Sequence, residues 1–243
     1  MTRFKHFFSS KIYRPLLAIL SIQQDLFYIH IGKNGGTSVQ KNLLQSPEKK
    51  AILNHLKSLK KPYRLVFLNH WPSHFKILKS KDINIACFVR DPVDRLESAF
   101  YYEQNHWLRG ESPPNKNLLK FQNFTDFALA LIDSENSQNQ IAFDSYQNAF
   151  HLSKGYTFYF SSKTFLKERN INFKFVGELE TFESDIKRFA ILLNMKLGPL
   201  SQKYNINSSK PSTELTQGIR ARLKVFLQKE YDIYDYILSQ KEK

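Results

Sequence analysis

Four short apolar runs, at residues 26–31, 65–68, 83–89 and 173–176, have the length and the β-branched and aromatic content of buried strands. Each is followed by a stretch that reads as a helix. That alternation predicts an α/β domain with a largely parallel central sheet flanked by helices, whose ligands should gather at the carboxyl ends of the strands. Asp91-Pro92, after the third run, supplies a cap and then a proline at the first helical position, opening a helix over 93–103. Further on, Leu215, Ile219, Leu223, Phe226 and Leu227 mark one face of a long basic helix. Arg220, Arg222 and Lys224 on its polar side read as a solvated surface. The polar stretches around 109–117 and 134–140 read as surface insertions, and no repeat or long Gly/Ser or Pro-rich linker is present.

A length of 243 residues with 42% hydrophobic content suits one core. The chain therefore reads as an N-terminal basic and apolar segment, 1–25, and a single domain, 26–243. A formal charge of +14 favours polyanionic partners such as nucleotides, acidic glycans, nucleic acid and anionic lipid. The lysines are scattered rather than massed in one stripe, which argues against nucleic acid. The lone cysteine, Cys87, lies in the third apolar run and can form no internal disulfide. It reads as an inert core residue, and nothing ties the chain to an oxidising compartment. An apolar stretch at 16–22 falls far short of the roughly 20 residues a spanning helix needs. Arg3, Lys5, Lys11 and Arg14 precede it. A packed N-terminal helix is expected there, with peripheral membrane contact as the alternative.

The strongest local signal is Phe27-Tyr28-Ile29-His30-Ile31-Gly32-Lys33-Asn34-Gly35-Gly36-Thr37-Ser38-Val39, a strand, a glycine-rich turn and a helix start. Gly35 and Gly36 let main-chain amides approach a ligand, Thr37 and Ser38 add hydroxyls where the helix dipole favours negative charge, and Lys33 adds a point charge. An anion cradle and a tight turn with an incidental lysine both fit. In a nucleotide triphosphatase loop the lysine follows the glycines and precedes Ser or Thr, whereas here it comes first. Arg90 stands at the end of the third strand, with Ser98 two turns into the following helix. An arginine fork suits a phosphate, and an ion pair with Asp91 or Asp94 is the plainer alternative. Arg95 reads as one partner of a surface ion pair.

Together these two segments resemble the donor site of the sulfotransferases that use 3′-phosphoadenosine-5′-phosphosulfate (PAPS), whose loop commonly reads Pro-Lys-Thr-Gly-Gly-Thr-Ser. Gly32 here replaces the proline and Asn34 the threonine. The resemblance extends through Phe173-Lys174-Phe175-Val176-Gly177-Glu178-Leu179-Glu180 and Asn205-Ile206-Asn207-Ser208-Ser209-Lys210. It implies a P-loop-like fold in which Lys33, Asn34, Gly35, Gly36, Thr37 and Ser38 hold the 5′ end of PAPS. It also implies that Arg90 and Ser98 hold the 3′-phosphate and that Lys210 touches that phosphate or the adenine.

The strand end Leu65-Val66-Phe67-Leu68-Asn69-His70-Trp71-Pro72 resembles the histidine segment of the glycan 2-O-sulfotransferase branch, typified by heparan sulfate 2-O-sulfotransferase. That likeness implies His70 as general base and a glycan or glycolipid acceptor. On residue grounds alone His70 reads as a cap or as packing beneath Trp71 before it reads as a base. His70 and His74 stand four apart, but Pro72 argues against a continuous helix and no further ligands accompany them, so no metal is expected. His30 reads as a core or rim residue, His106 as a loop residue that could contact acceptor, and Trp71 and Trp107 as candidates to stack on sugar. Animal relatives are usually Golgi-anchored and disulfide-bonded, whereas this sequence shows neither an evident anchor nor paired cysteines, so a bacterial-type cytoplasmic form is expected. The rival readings are a P-loop kinase, a non-catalytic adenosine-bisphosphate-binding protein and a nucleic-acid-binding protein.

Overall fold

The computed structural model describes residues 24–44, 63–68, 83–108, 116–197 and 215–241. Strands β1 (Gln24–Ile29), β2 (Tyr63–Leu68), β3 (Asn84–Val89) and β4 (Asn172–Glu178) form one sheet in the order β2-β1-β3-β4, every neighbouring pair parallel. All four predicted runs are strands, displaced by at most two residues at either end. The helices are α1 (Gly36–Leu44) after β1, α2 (Pro92–Leu108) after β3, then α3 (Phe124–Ile132), α4 (Asn139–Asn148), α5 (Tyr156–Phe160) and α6 (Lys163–Glu168) before β4. After β4 come α7 (Phe182–Leu192), α8 (Gln217–Phe226) and α9 (Gln228–Leu238). Among the described residues no helix is long and apolar enough to cross a membrane.

A parallel sheet must be covered on both faces, so its strands read as continuous apolar runs. Leu26 and Tyr28 of β1 with Ala86 and Phe88 of β3 face Val39 and Leu43 of α1 and Phe182, Ile186 and Phe189 of α7. Their chain neighbours Ile29, Ile85, Cys87 and Val89 face the opposite way, onto Tyr156, Tyr159 and Phe160 of α5, Leu166 of α6 and Ile233 and Ile237 of α9. Cys87 is wholly buried, and burial alone pushes its thiol far above the ordinary range, as befits an inert core residue. Phe173 and Phe175, two apart, would share a face in a regular strand. The register shift that pairs Ile85 with Phe173 but Ala86 with Phe175 leaves Lys174 as an extra residue and sends the two rings to opposite faces. A third cluster, beside the sheet, joins Leu96 and Phe100 of α2 to Phe124 and Phe127 of α3 and Leu223 of α8.

Three sequence expectations are corrected. The single long basic helix is two helices that break at Leu227, which lets Leu223 enter the third cluster while Ile233 and Ile237 enter the sheet core. Helix α2 runs on to Leu108, so His106 lies on a helix rather than in a polar loop. Arg95 is not a surface ion pair. It is 2% exposed, and its guanidinium donates to the carbonyls of His151, Lys154 and Leu152 at 3.0, 3.1 and 3.5 Å. Arg95→Ala would leave those carbonyls without their donor. It is expected to destabilise the fold by about 3 kcal/mol, read as a lower denaturant midpoint at unchanged slope.

Candidate functional site

In a sheet of order 2-1-3-4 the chain leaves β1 to one side and returns to lay β3 on the other, so the switch point falls between β1 and β3. The carboxyl ends of the strands at such a point are where open α/β sheets bind their ligands. The segment 30–35 follows β1 and Arg90 follows β3, which puts the two predicted donor segments on adjacent strand ends.

The turn after β1 reverses through two residues in the left-handed region, Lys33 at φ 68° and Gly35 at φ 74°. That conformation costs a side-chain-bearing residue about 1–2 kcal/mol, and such strain concentrates at functional positions. Asn34 N donates to Ile31 O, and Val39 N to Gly35 O, which starts α1. The first amides of a helix have no acceptor within it, so those following Gly35 form the positive end of α1. Gly36 has a further reason to be glycine, because a Cβ there would collide with the ring of His30. His30 sits just past β1, half-buried, as the rim residue expected of it. Thr37 is half-buried and Ser38 buried.

Lys33 points its ammonium at the ring of Tyr102 on α2, 3.8 Å from the centroid. Burial lowers its pKa to about 8, the fields of Arg90 and Arg95 act in the same direction, and Glu103 opposes them. Tyr102 also meets the ring of His151 edge-on at 4.5 Å. Glu103 Oε1 lies 2.6 Å from His151 Nδ1 and accepts from His151 N at 2.9 Å. Burial holds the His151 imidazole below its ordinary range; Glu103 works against that shift, and Lys33 and Arg95 reinforce it. Two guanidinium groups, those of Arg90 and Arg95, thus bear on the Lys33 ammonium with Glu103 as counter-charge, a field that favours an anion.

Arg90 is half-buried at the end of β3. Burial pushes the Glu180 carboxyl up and the field of Arg90 pulls it down, while the two carboxylates nearest to Arg90 in the chain are engaged elsewhere. Asp91 Oδ1 accepts from Val93 N and Asp94 N at 3.0 and 3.2 Å, the predicted cap. Arg220 of α8 donates to Asp91 Oδ1 at 3.0 Å and to Asp94 Oδ1 at 2.8 Å, and Tyr231 of α9 donates to Asp91 Oδ2 at 2.8 Å. Arg220 is therefore no solvated bystander but the clamp on the first turn of α2. Ser98 is half-buried on that helix, four residues before Tyr102 and so on the same face.

Asn34 behaves differently from its neighbours in the loop. It is 1% exposed, and its Nδ2 donates to Phe88 O at 3.3 Å and to Tyr156 Oη at 2.9 Å. Its Oδ1 has no partner among the described residues. Tyr156 and Tyr159 of α5 were not legible as site residues from sequence. They belong to an aromatic run, Tyr156-Thr157-Phe158-Tyr159-Phe160, which as a pattern says only "core". His70, Trp71, His74 and Lys210 lie outside the described residues, as do the side chains of His106 and Trp107.

No curated protein and no solved structure matches the chain. The model of the sulfotransferase family matches residues 18–237, a stretch that contains all four strands, the lysine loop and Arg90. With a parallel P-loop-like sheet that carries Lys33 and Arg90 after the two strands at its switch point, the chain belongs to the sulfotransferase family.

Proposed function

We propose that the protein transfers the sulfuryl group of PAPS to a carbohydrate hydroxyl. The observation that carries the donor side is the placement of Lys33 and Arg90 after adjacent strands, close enough for the field of Arg90 to act on the Lys33 ammonium, with Asp91 and Asp94 already held by Arg220. In this reading the amides from Gly35 to Ser38 hold the 5′-phosphate, Arg90 and Ser98 hold the 3′-phosphate, and Lys210 supports that end. The acceptor oxygen forms a bond to sulfur as the bond between sulfur and the bridging oxygen breaks. The bonding pair leaves on the phosphate of adenosine 3′,5′-bisphosphate, and Lys33 offsets the charge that builds there. His70 takes the proton from the acceptor hydroxyl. The carbohydrate preference is supported by the likeness of the His70 segment to the glycan branch. A cytoplasmic location belongs to the same proposal, supported by a lone cysteine wholly buried in the sheet.

Calorimetric titration of the purified protein tests the donor site. Adenosine 3′,5′-bisphosphate is expected to bind without a metal and to outcompete ATP with magnesium. Preference for magnesium ATP would move the reading to a phosphotransferase, and tight bisphosphate binding without sulfation of any hydroxyl acceptor would move it to a binding protein.

A further inference from the structure

Neither half of the cleft is held by the sheet alone. Tyr159 Oη accepts from Gly32 N at 3.0 Å, on the lysine loop. Tyr156 Oη accepts from Asn34 Nδ2 on the same loop and from Arg90 N, both at 2.9 Å, and donates to Arg90 O at 2.7 Å. A phenol offers one proton and two lone pairs, so these three partners use the whole capacity of Tyr156. Both tyrosines are wholly buried. Burial also drives both phenols upward, Tyr159 to about 12, so each stays protonated and bonded across the working pH range. Their helix, α5, is only five residues long and is anchored from outside. Glu230 of α9 accepts from Tyr156 N, Thr157 N and Thr157 Oγ1, and a Cβ on Gly155 would collide with that carboxylate.

We propose that Tyr156 is a specificity-determining positioning residue of the donor site. A single hydroxyl ties the loop that holds one phosphate to the strand end that holds the other, so it sets the distance between the two subsites. A ligand phosphorylated at both ends depends on that distance. A 5′-mononucleotide fills one subsite and does not. Tyr159, which accepts from Gly32 N of the loop, supports the 5′ end for both kinds of ligand. Neither phenol needs to touch the donor. The inference rests on reading the loop and Arg90 as the two ends of one nucleotide site.

Titrating adenosine 3′,5′-bisphosphate and 5′-AMP into the wild type, Tyr156→Phe, Tyr159→Phe and Glu230→Gln separates the possibilities. Tyr156→Phe is expected to lose about tenfold in bisphosphate affinity and less than about twofold in AMP affinity, so that the preference between them collapses. Tyr159→Phe should weaken both alike. Glu230→Gln, which touches neither subsite, should repeat the Tyr156→Phe pattern in weaker form by loosening α5. It also serves as the test if Tyr156→Phe does not fold. A ratio of affinities unchanged from wild type, whether both fall together or neither falls, overturns the role of Tyr156. A wild type that shows no preference for the bisphosphate removes the donor-site reading and this inference with it. Wild-type preference with an unchanged ratio in the variants removes the inference alone.

Discussion

Alanine in place of Lys33 is expected to slow sulfuryl transfer about a thousandfold at saturating donor while changing bisphosphate affinity by no more than about threefold. The side chain is fixed from both ends, by a left-handed backbone at φ 68° and by the ring of Tyr102 at 3.8 Å. A charge fixed before the reaction costs no reorganisation when the bridging oxygen becomes anionic. Alanine tolerates the left-handed conformation no better than lysine, so the loss would report the ammonium and not relief of strain.

The pH dependence provides a second readout. With its pKa lowered to about 8, Lys33 loses its proton as pH rises through that value, and kcat/KM should fall there, since that ratio reports the free enzyme. Stability should move the other way. The folded pKa lies below the unfolded value of 10.5, so between about 8 and 10.5 the unfolded chain binds more protons than the native one, and this group's contribution to stability rises with pH. Lys33→Met should lose both trends. Thermal melts and rate profiles over that window check the pair, and a wild-type kcat/KM flat through pH 8 would show that Lys33 is not the charge that matters.

Arg90→Ala is expected to weaken adenosine 3′,5′-bisphosphate binding about a hundredfold or more and 5′-AMP binding only slightly. Two charge-assisted hydrogen bonds from one fork are each worth about 1.5–3 kcal/mol. Its chain neighbours Asp91 and Asp94 are taken by Arg220 and Tyr231, so a phosphate would not have to displace an internal ion pair with either, and Glu180 is the acid whose carboxyl feels the field of Arg90. Arg90→Lys should recover only part of the loss, because an ammonium keeps the charge but not the planar fork. Equal losses for both nucleotides, measured by calorimetry, would place Arg90 away from the 3′ end.

What could be read from the sequence divides along a physical line. Strands buried on both faces carry their signature in consecutive residues, and glycine turns and the Asp91-Pro92 cap are equally local. The sheet, the lysine loop and the position of Arg90 were therefore visible without coordinates. Interactions between distant parts of the chain leave no such mark. Arg220 meets Asp91 and Asp94 across more than a hundred residues, Glu230 meets Tyr156 across 74, and Tyr156 meets Asn34 across 122. Each of these residues looks locally like what it is not: Arg220 like surface, Glu230 like a solvated helix acid, Tyr156 like plain core. Arg95 misled for the same reason, since the acids around it suggest an ion pair while its partners are carbonyls 56 to 59 residues away. The bulge at Lys174 escaped notice because it is defined by the partner strand.

The break at Leu227 has a bearing on how the chain matures. The four strands and the lysine loop are complete by residue 178, but the groups that brace the cleft, Arg220, Glu230 and Tyr231, are synthesised after all of them. On the ribosome the sheet can form first. The proposed nucleotide site acquires its braces only as α8 and α9 emerge and divide between the two cores. A nascent chain halted before residue 220 would thus own the complete sheet and still draw little stabilisation from the donor, since a ligand stabilises only the state it binds.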